Sequence, residues 1–297
     1  MTPARTRAPY LALALTALFT GACRDSLSLE GAGPGEGVTG DIGATARDEV
    51  EAAVSALTVP SSVDPIGTTQ AAAGPTAFSS PGCVTPSPPT DSDGDGVPDD
   101  AIYQFTAPPC SFTGWRGGTL DIVGSLRIKD PAPTGAGFGY EAALTKLRTR
   151  FITADNKTLY DVERNGTRVL SGSVSSLVLS ADLQVGRSFA GKPDAAIDKQ
   201  WTVTYTPATS LQINAPIPSG TLDIAGTVNW LRGDEDYNLT LTTPTPLHYN
   251  AGCTDTVQRI DGGEMHLAGT FGDLKGFVRV QWTGCGSEPR FSFGTTE

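Results

Sequence analysis

Between residues 91 and 100 the chain reads Asp91-Ser92-Asp93-Gly94-Asp95-Gly96-Val97-Pro98-Asp99-Asp100, five carboxylates in ten positions. Acids crowded this closely repel one another and resist ionisation, so the natural counterpart is a cation. Calcium is a hard ion that takes roughly six to eight oxygen ligands, and carboxylates at alternate positions of a loop converge on it where a glycine permits a sharp turn. Asp91, Asp93 and Asp95 fill positions one, three and five of such a loop, and Gly96 fills position six. Val97 would offer its backbone carbonyl at position seven, and Asp99 stands at position nine. The expected chemistry is a structural calcium site, not a catalytic one.

Position twelve is Ile102, where an EF-hand carries a bidentate Glu, and no helical pattern flanks the loop, so an EF-hand is not expected. Over about ten residues the spacing resembles the DxDxDG calcium loops of thrombospondin type 3 repeats and similar bacterial linker motifs. That resemblance implies calcium held by Asp91, Asp93, Asp95, Val97 and Asp99.

Other chemistry is sparse. The chain has no HExxH, P-loop or GxSxG; Gly186-Arg187-Ser188-Phe189-Ala190 lacks the final glycine of the last. The glycine-rich run at 31–37 does not satisfy GxGxxG, and no strand pattern precedes it. His266, close to Glu264 and Asp261, suggests proton transfer, and Asp234, Glu235 and Asp236 suggest the paired carboxylates of a glycosidase. On an alternating strand, however, Glu264 and His266 share an exposed face as a surface pair, and the three acids read as a charged hairpin tip between Trp230 and Tyr237. No catalytic residue is assigned. A net charge of −11 without clustered Lys and Arg argues against nucleic acid as a partner.

The N-terminus carries an address. Arg5 and Arg7 precede an apolar run from Leu11 to Phe19, and Thr20-Gly21-Ala22 leads into Cys23. The arrangement resembles the signal peptide and lipobox of bacterial lipoproteins; an ordinary secretory signal is the alternative. The resemblance implies removal of residues 1–22 and acylation of Cys23. It also implies attachment to a membrane of the cell envelope through the N-terminal lipid, with an unknown envelope or extracellular ligand as partner. The apolar run is too short to span ~30 Å of hydrocarbon. In an exported chain the four remaining cysteines normally pair, and four allow three connectivities. Cys83 with Cys110 and Cys253 with Cys285 are expected, each pair being local. A metal site is the competing reading, weakened by the absence of CxxC and by only two histidines, His248 and His266.

These groups need a scaffold. Residues 23–82 are rich in Gly, Ala, Ser, Thr and Pro and read as a flexible tether. One helical patch at 45–57 interrupts it, with Val50, Val54 and Leu57 on one stripe, acids in the early turns and Pro60 as a stop. So short a stripe suggests a transient helix more than a docked one. From Trp115 onward the pattern is β. Leu120, Ile122, Leu126 and Ile128 alternate with polar residues, as do Leu177, Leu179, Ala181, Leu183 and Val185, and Trp201, Val203 and Tyr205. Asn165-Gly166 has the chemistry of a tight hairpin turn. Residues 140–151 read as a strand with a bulge, with a short helix as the alternative.

Three segments starting at Gly118, Gly220 and Gly263 share one template with a central glycine at Gly124, Gly226 and Gly269. Those central glycines should mark a bend or the close approach of another backbone. Asp121, Asp223 and His266 occupy the same polar position, which invites a metal-site reading, but they are expected as solvated residues of the outer face. The fold expected is all-β: one large antiparallel sheet, a sandwich or partly open barrel, spanning residues 83–297 behind the tether. The function expected is that of a non-catalytic membrane-anchored envelope lipoprotein with a binding or structural role. A carrier of an apolar ligand or lipid in a curved sheet is the alternative, and a secreted hydrolase comes third.

Overall fold

The structure is a computed structural model. It describes residues 39, 40, 42–44, 46, 47, 50, 54 and 57, and then residues 90–295 apart from 114–117, 191–193, 214, 233–234, 254–258 and 272–273. Cys23, Cys83 and Trp115 lie outside the described residues.

Alternation of apolar and polar side chains produces the strands. They are β1 (Asp100–Thr113), β2 (Thr119–Lys129), β3 (Tyr140–Ile152), β4 (Thr158–Ser173), β5 (Ser176–Phe189), β6 (Ala195–Pro207), β7 (Gly220–Arg232), β8 (Glu235–Tyr249), β9 (Ile260–Phe271), β10 (Leu274–Trp282) and β11 (Arg290–Thr295). Every described strand pairs with its neighbours in sequence, giving one antiparallel meander in the order β1 to β11 that does not close on itself. The β region thus begins at Asp100, upstream of where the sequence pattern suggested. Pro108 and Pro109 and a register shift between Phe105 and Cys110 obscure the alternation of β1. Pro is tolerated there because β1 is the edge among the described strands.

The predicted hairpin at Asn165-Gly166 is not there. β4 runs straight through it, with Gly166 paired to Leu183, and the chain reverses between Ser173 and Ser176 instead. Gly166 adopts φ 129°, and a Cβ there would collide with the Asp182 carbonyl, so the glycine serves close strand approach and not a turn. The bulge expected in 140–151 is present: the β3–β4 register shifts between Leu144 and Leu147, and Lys146 lies between them at φ 46°. Gly124 faces that bulge across β2–β3, where a Cβ would strike the Lys146 carbonyl. The other two central glycines of the repeated template meet neighbouring backbone in the same way, Gly226 at Gln200 and Gly269 at Asn238.

The eleven described strands at about 4.8 Å spacing make a sheet some five helix diameters wide, so no single helix can cover its apolar face if it stays flat. Inward side chains from β1 through β10 nevertheless belong to one buried cluster, so the sheet curls upon itself. At its heart is helix α1, whose described residues lie between 39 and 57. Ile42, Ala46, Val50 and Leu57 are buried in that cluster and Val54 packs against it. The transient-helix reading is therefore corrected. A short stripe is marginal in water, but here it meets apolar surface on several sides, and burial of a Val or Leu side chain is worth about 1.5–3 kcal/mol. α1 faces β6 to β9, and Gly43 lies against the Phe291 ring of β11. An ion pair from Arg47 to Glu288, 2.8 Å, joins the helix to the segment just before β11.

Outward positions are polar: Ser180, Asp182 and Gln184 on β5 and Asp198, Gln200 and Thr202 on β6 are exposed. These strands offer no apolar belt to a bilayer. Among the described residues no helix is long and apolar enough to cross a membrane. Cys253 and Cys285 form the expected disulfide, joining the segment before β9 to the β10–β11 connection. Cys110 is buried on β1.

Candidate functional site

The acidic segment forms a closed loop immediately before β1. The Asp99 N–H donates to the Thr90 carbonyl at 2.8 Å, joining its two ends. Inside, each early aspartate accepts backbone N–H groups two to five residues on, the local bonding that Asp brings to turns. Gly94 N–H and Gly96 N–H donate to the two oxygens of Asp91 at 2.8 and 3.0 Å, and Asp95 N–H donates to Asp93 at 3.2 Å. Gly94 and Gly96 adopt φ 75° and 92°, which a side chain would resist. Val97 buries its side chain completely and pins the loop to the core.

Three of the five carboxylates converge. One oxygen each from Asp91, Asp93 and Asp95 lie within 4.8 Å of one another, making this the one such acidic group among the described residues. That separation is about twice a Ca–O bond of roughly 2.4 Å, so a single ion can touch all three. Asp95 is 1% exposed and its oxygens accept from Val97 N–H at 2.8 Å and Gly137 N–H at 3.0 Å. Loss of water raises the Asp93 carboxyl above the ordinary range, with the charges of Asp95 and Asp130 adding to the effect. Asp99, proposed from sequence for position nine, is bonded elsewhere: Ser92 donates to it through N–H at 2.9 Å and Oγ at 2.6 Å, which lowers its pKa.

The other candidates lie on the strands and at a strand reversal. His266 contacts Glu264 at 2.5 Å, Arg279 reaches the same carboxylate at 3.2 Å, and the His266 ring stacks on Phe277 with centroids 4.1 Å apart. The pairing that the alternation implied is present, but on half-buried side chains and not on an exposed face. Asp236 is exposed beside the β7–β8 reversal, while Asp234 lies outside the described residues. Asp121 departs from expectation. It is buried, accepting from Ser111 Oγ at 2.6 Å and Arg150 Nη2 at 3.0 Å, residues its register sets directly opposite on β1 and β3. Asp223 is exposed and accepts from Thr243 Oγ1 at 2.8 Å, and the three equivalent positions form no common site among the described residues.

Sequence reasoning missed Lys199. It holds an inward position of β6 between Ile197 and Trp201, 2% exposed, with Nζ 4.8 Å from the Trp201 ring centroid. Burial pulls its pKa down to about 7. It shares with Ile42, Ala46, Trp230 and Leu267 the walls of a cavity of about 20 Å³, room for about one water. The outward side of the same strands carries a polar depression of about 320 Å³. Cross-strand pairing builds it from two rows, Asp198, Asn229 and Asn238, and Gln200, Thr227 and Thr240. Asn229 Oδ1 is buried there without a hydrogen-bond partner.

Comparison with protein-family models, with curated proteins and with solved structures finds no match to this chain.

Proposed function

We propose that this protein is a non-catalytic, membrane-anchored protein of the cell envelope whose sheet presents its outward face for binding, with a structural calcium site bracing the loop before β1. The carrying observation is where space lies around β6 to β8. Beside α1 the cavity holds about one water, while the open polar depression is on the outside. A carrier of apolar ligands would need the concave side that α1 occupies. A hydrolase built on His266 would need an imidazole that is committed to Glu264 and Phe277. Rows of Asp, Asn, Gln and Thr with an unsatisfied buried amide oxygen suit a hydroxyl-rich ligand that donates hydrogen bonds, such as an envelope glycan.

The test has two arms. Intact mass of membrane-extracted protein is expected to show a chain beginning at acylated Cys23; a different start, soluble without detergent, overturns the anchor. Full-length protein is expected to bind an envelope polysaccharide panel, with the double variant N229A/N238A losing binding. Retained binding by that variant overturns the assigned face, and turnover lost on His266→Ala overturns the non-catalytic reading.

A further inference from the structure

The loop after β2 packs directly on the acidic loop. Register pairing of Asp100 with Lys129 sets Asp130 beside Asp99, and the Asp130 N–H donates to the Pro98 carbonyl at 3.0 Å. Farther along, Gly137 N–H donates to Asp95, so the two loops are joined at both ends. Between these bonds Asp130 is 3% exposed. Its Oδ1 accepts from Ala132 N–H at 2.8 Å, but its Oδ2 is buried with no hydrogen-bond partner. Asp93 Oδ2 is in the same condition.

Two carboxylate oxygens that only accept, withdrawn from water and with no donor, are costly in isolation. A hydroxyl or amide aimed between them would relieve the cost, and none is present at either oxygen. A divalent cation relieves both at once. We propose that Asp130 is a fourth carboxylate of the calcium site, facing the ion that Asp91, Asp93 and Asp95 surround and clamping the β2–β3 loop onto the loop before β1. This rests on the calcium reading above and adds to it a residue that no loop motif contains. Asp130 is not among the three residues whose oxygens lie within 4.8 Å of one another; from the neighbouring loop it completes the shell directly or through one bound water. Calcium is favoured over magnesium because it accepts irregular, carboxylate-rich shells, whereas magnesium demands near-octahedral geometry and keeps its waters.

The test is calorimetric titration of the full chain with calcium in calcium-stripped buffer, comparing wild type, Asp130→Asn and Asp130→Glu. Asn retains the oxygen that accepts from Ala132 N–H, so circular dichroism is expected to be unchanged. Wild type is expected to bind one calcium, D130N to bind at least ten-fold more weakly, and D130E, which keeps the charge but moves the oxygens, to fall between. Urea unfolding gives a second reading independent of any loss of fold. Without calcium D130N is expected to match or exceed wild type because a repulsion is gone, and with calcium the order reverses. Wild-type affinity in D130N, or a stability loss that calcium does not alter, overturns the assignment of Asp130 and leaves the three-aspartate site standing. Absence of binding by wild type at millimolar calcium overturns the calcium reading itself.

Discussion

Val50 and Leu57 of α1 and Asp95 of the acidic loop are withdrawn from water almost equally, 0%, 0% and 1% exposed, and by opposite means. In the interior, a short helix too weak to stand alone is surrounded by side chains from several strands, and apolar area does the stabilising. In the loop, backbone N–H groups hold carboxylates against their mutual repulsion, so directed bonds determine the structure. The difference teaches where each region is vulnerable. The interior should respond to lost volume or inserted charge and ignore ions in solution; the loop should respond to cations and to acid.

The strongest way to break the comparison is to put charge inside. Val50→Asp is expected to detach α1 or unfold the domain, and Leu57→Ala to cost about 2–5 kcal/mol in urea unfolding. A loss below ~1 kcal/mol for Leu57→Ala would mean that α1 contributes little to the core. The interior already contains one charge-capable group, which sharpens the test. Lys199 titrates near 7 when folded and near 10.5 when unfolded. Between those values the unfolded chain holds the extra proton, so stability should rise with pH by about 1.4 kcal/mol per unit in that window. Lys199→Met is expected to remove that slope, measured as the wild-type-minus-variant difference from pH 7 to pH 9.5. Equal slopes would contradict the buried position. The smallest effect is expected in the loop. Asp99 should titrate below the ordinary Asp value by NMR, and Ser92→Ala should move it part of the way back, because Ser92 Oγ supplies the leading hydrogen bond while the backbone N–H bond is kept. The stabilisation tied to that depressed pKa is present above the unfolded value and lost as pH falls through the folded one.

Much of this architecture is legible in the sequence because period-two alternation records one buried face, as in Leu177 to Val185. The convergence of Asp91, Asp93 and Asp95 is also legible, since ligands two residues apart on a glycine-bearing loop need no knowledge of the rest of the chain. What escaped was whatever depends on register between strands. Asp121 looks solvated until Ser111 and Arg150 are set opposite it. Asp130 belongs to no motif and reaches the loop only because Lys129 pairs with Asp100. Gly166 follows Asn and so mimics a turn, yet the alternation continues beyond it and the reversal falls at 174–175. α1 was underestimated because a helix stripe is judged against water, and its true surroundings are contributed by strands more than a hundred residues away.

The meander also dictates an order of assembly. Each strand pairs with the one just before it, so the sheet can grow along the chain with little loop-closure entropy at any step. α1 cannot join that sequence, although it precedes every described strand. Its Ile42 and Ala46 wait for β6 to β9, and Arg47 meets Glu288 across 241 residues. In a chain emerging N-terminus first, the earliest described segment with a place in the core is thus among the last to reach it, and docking of α1 becomes the step that closes the described fold.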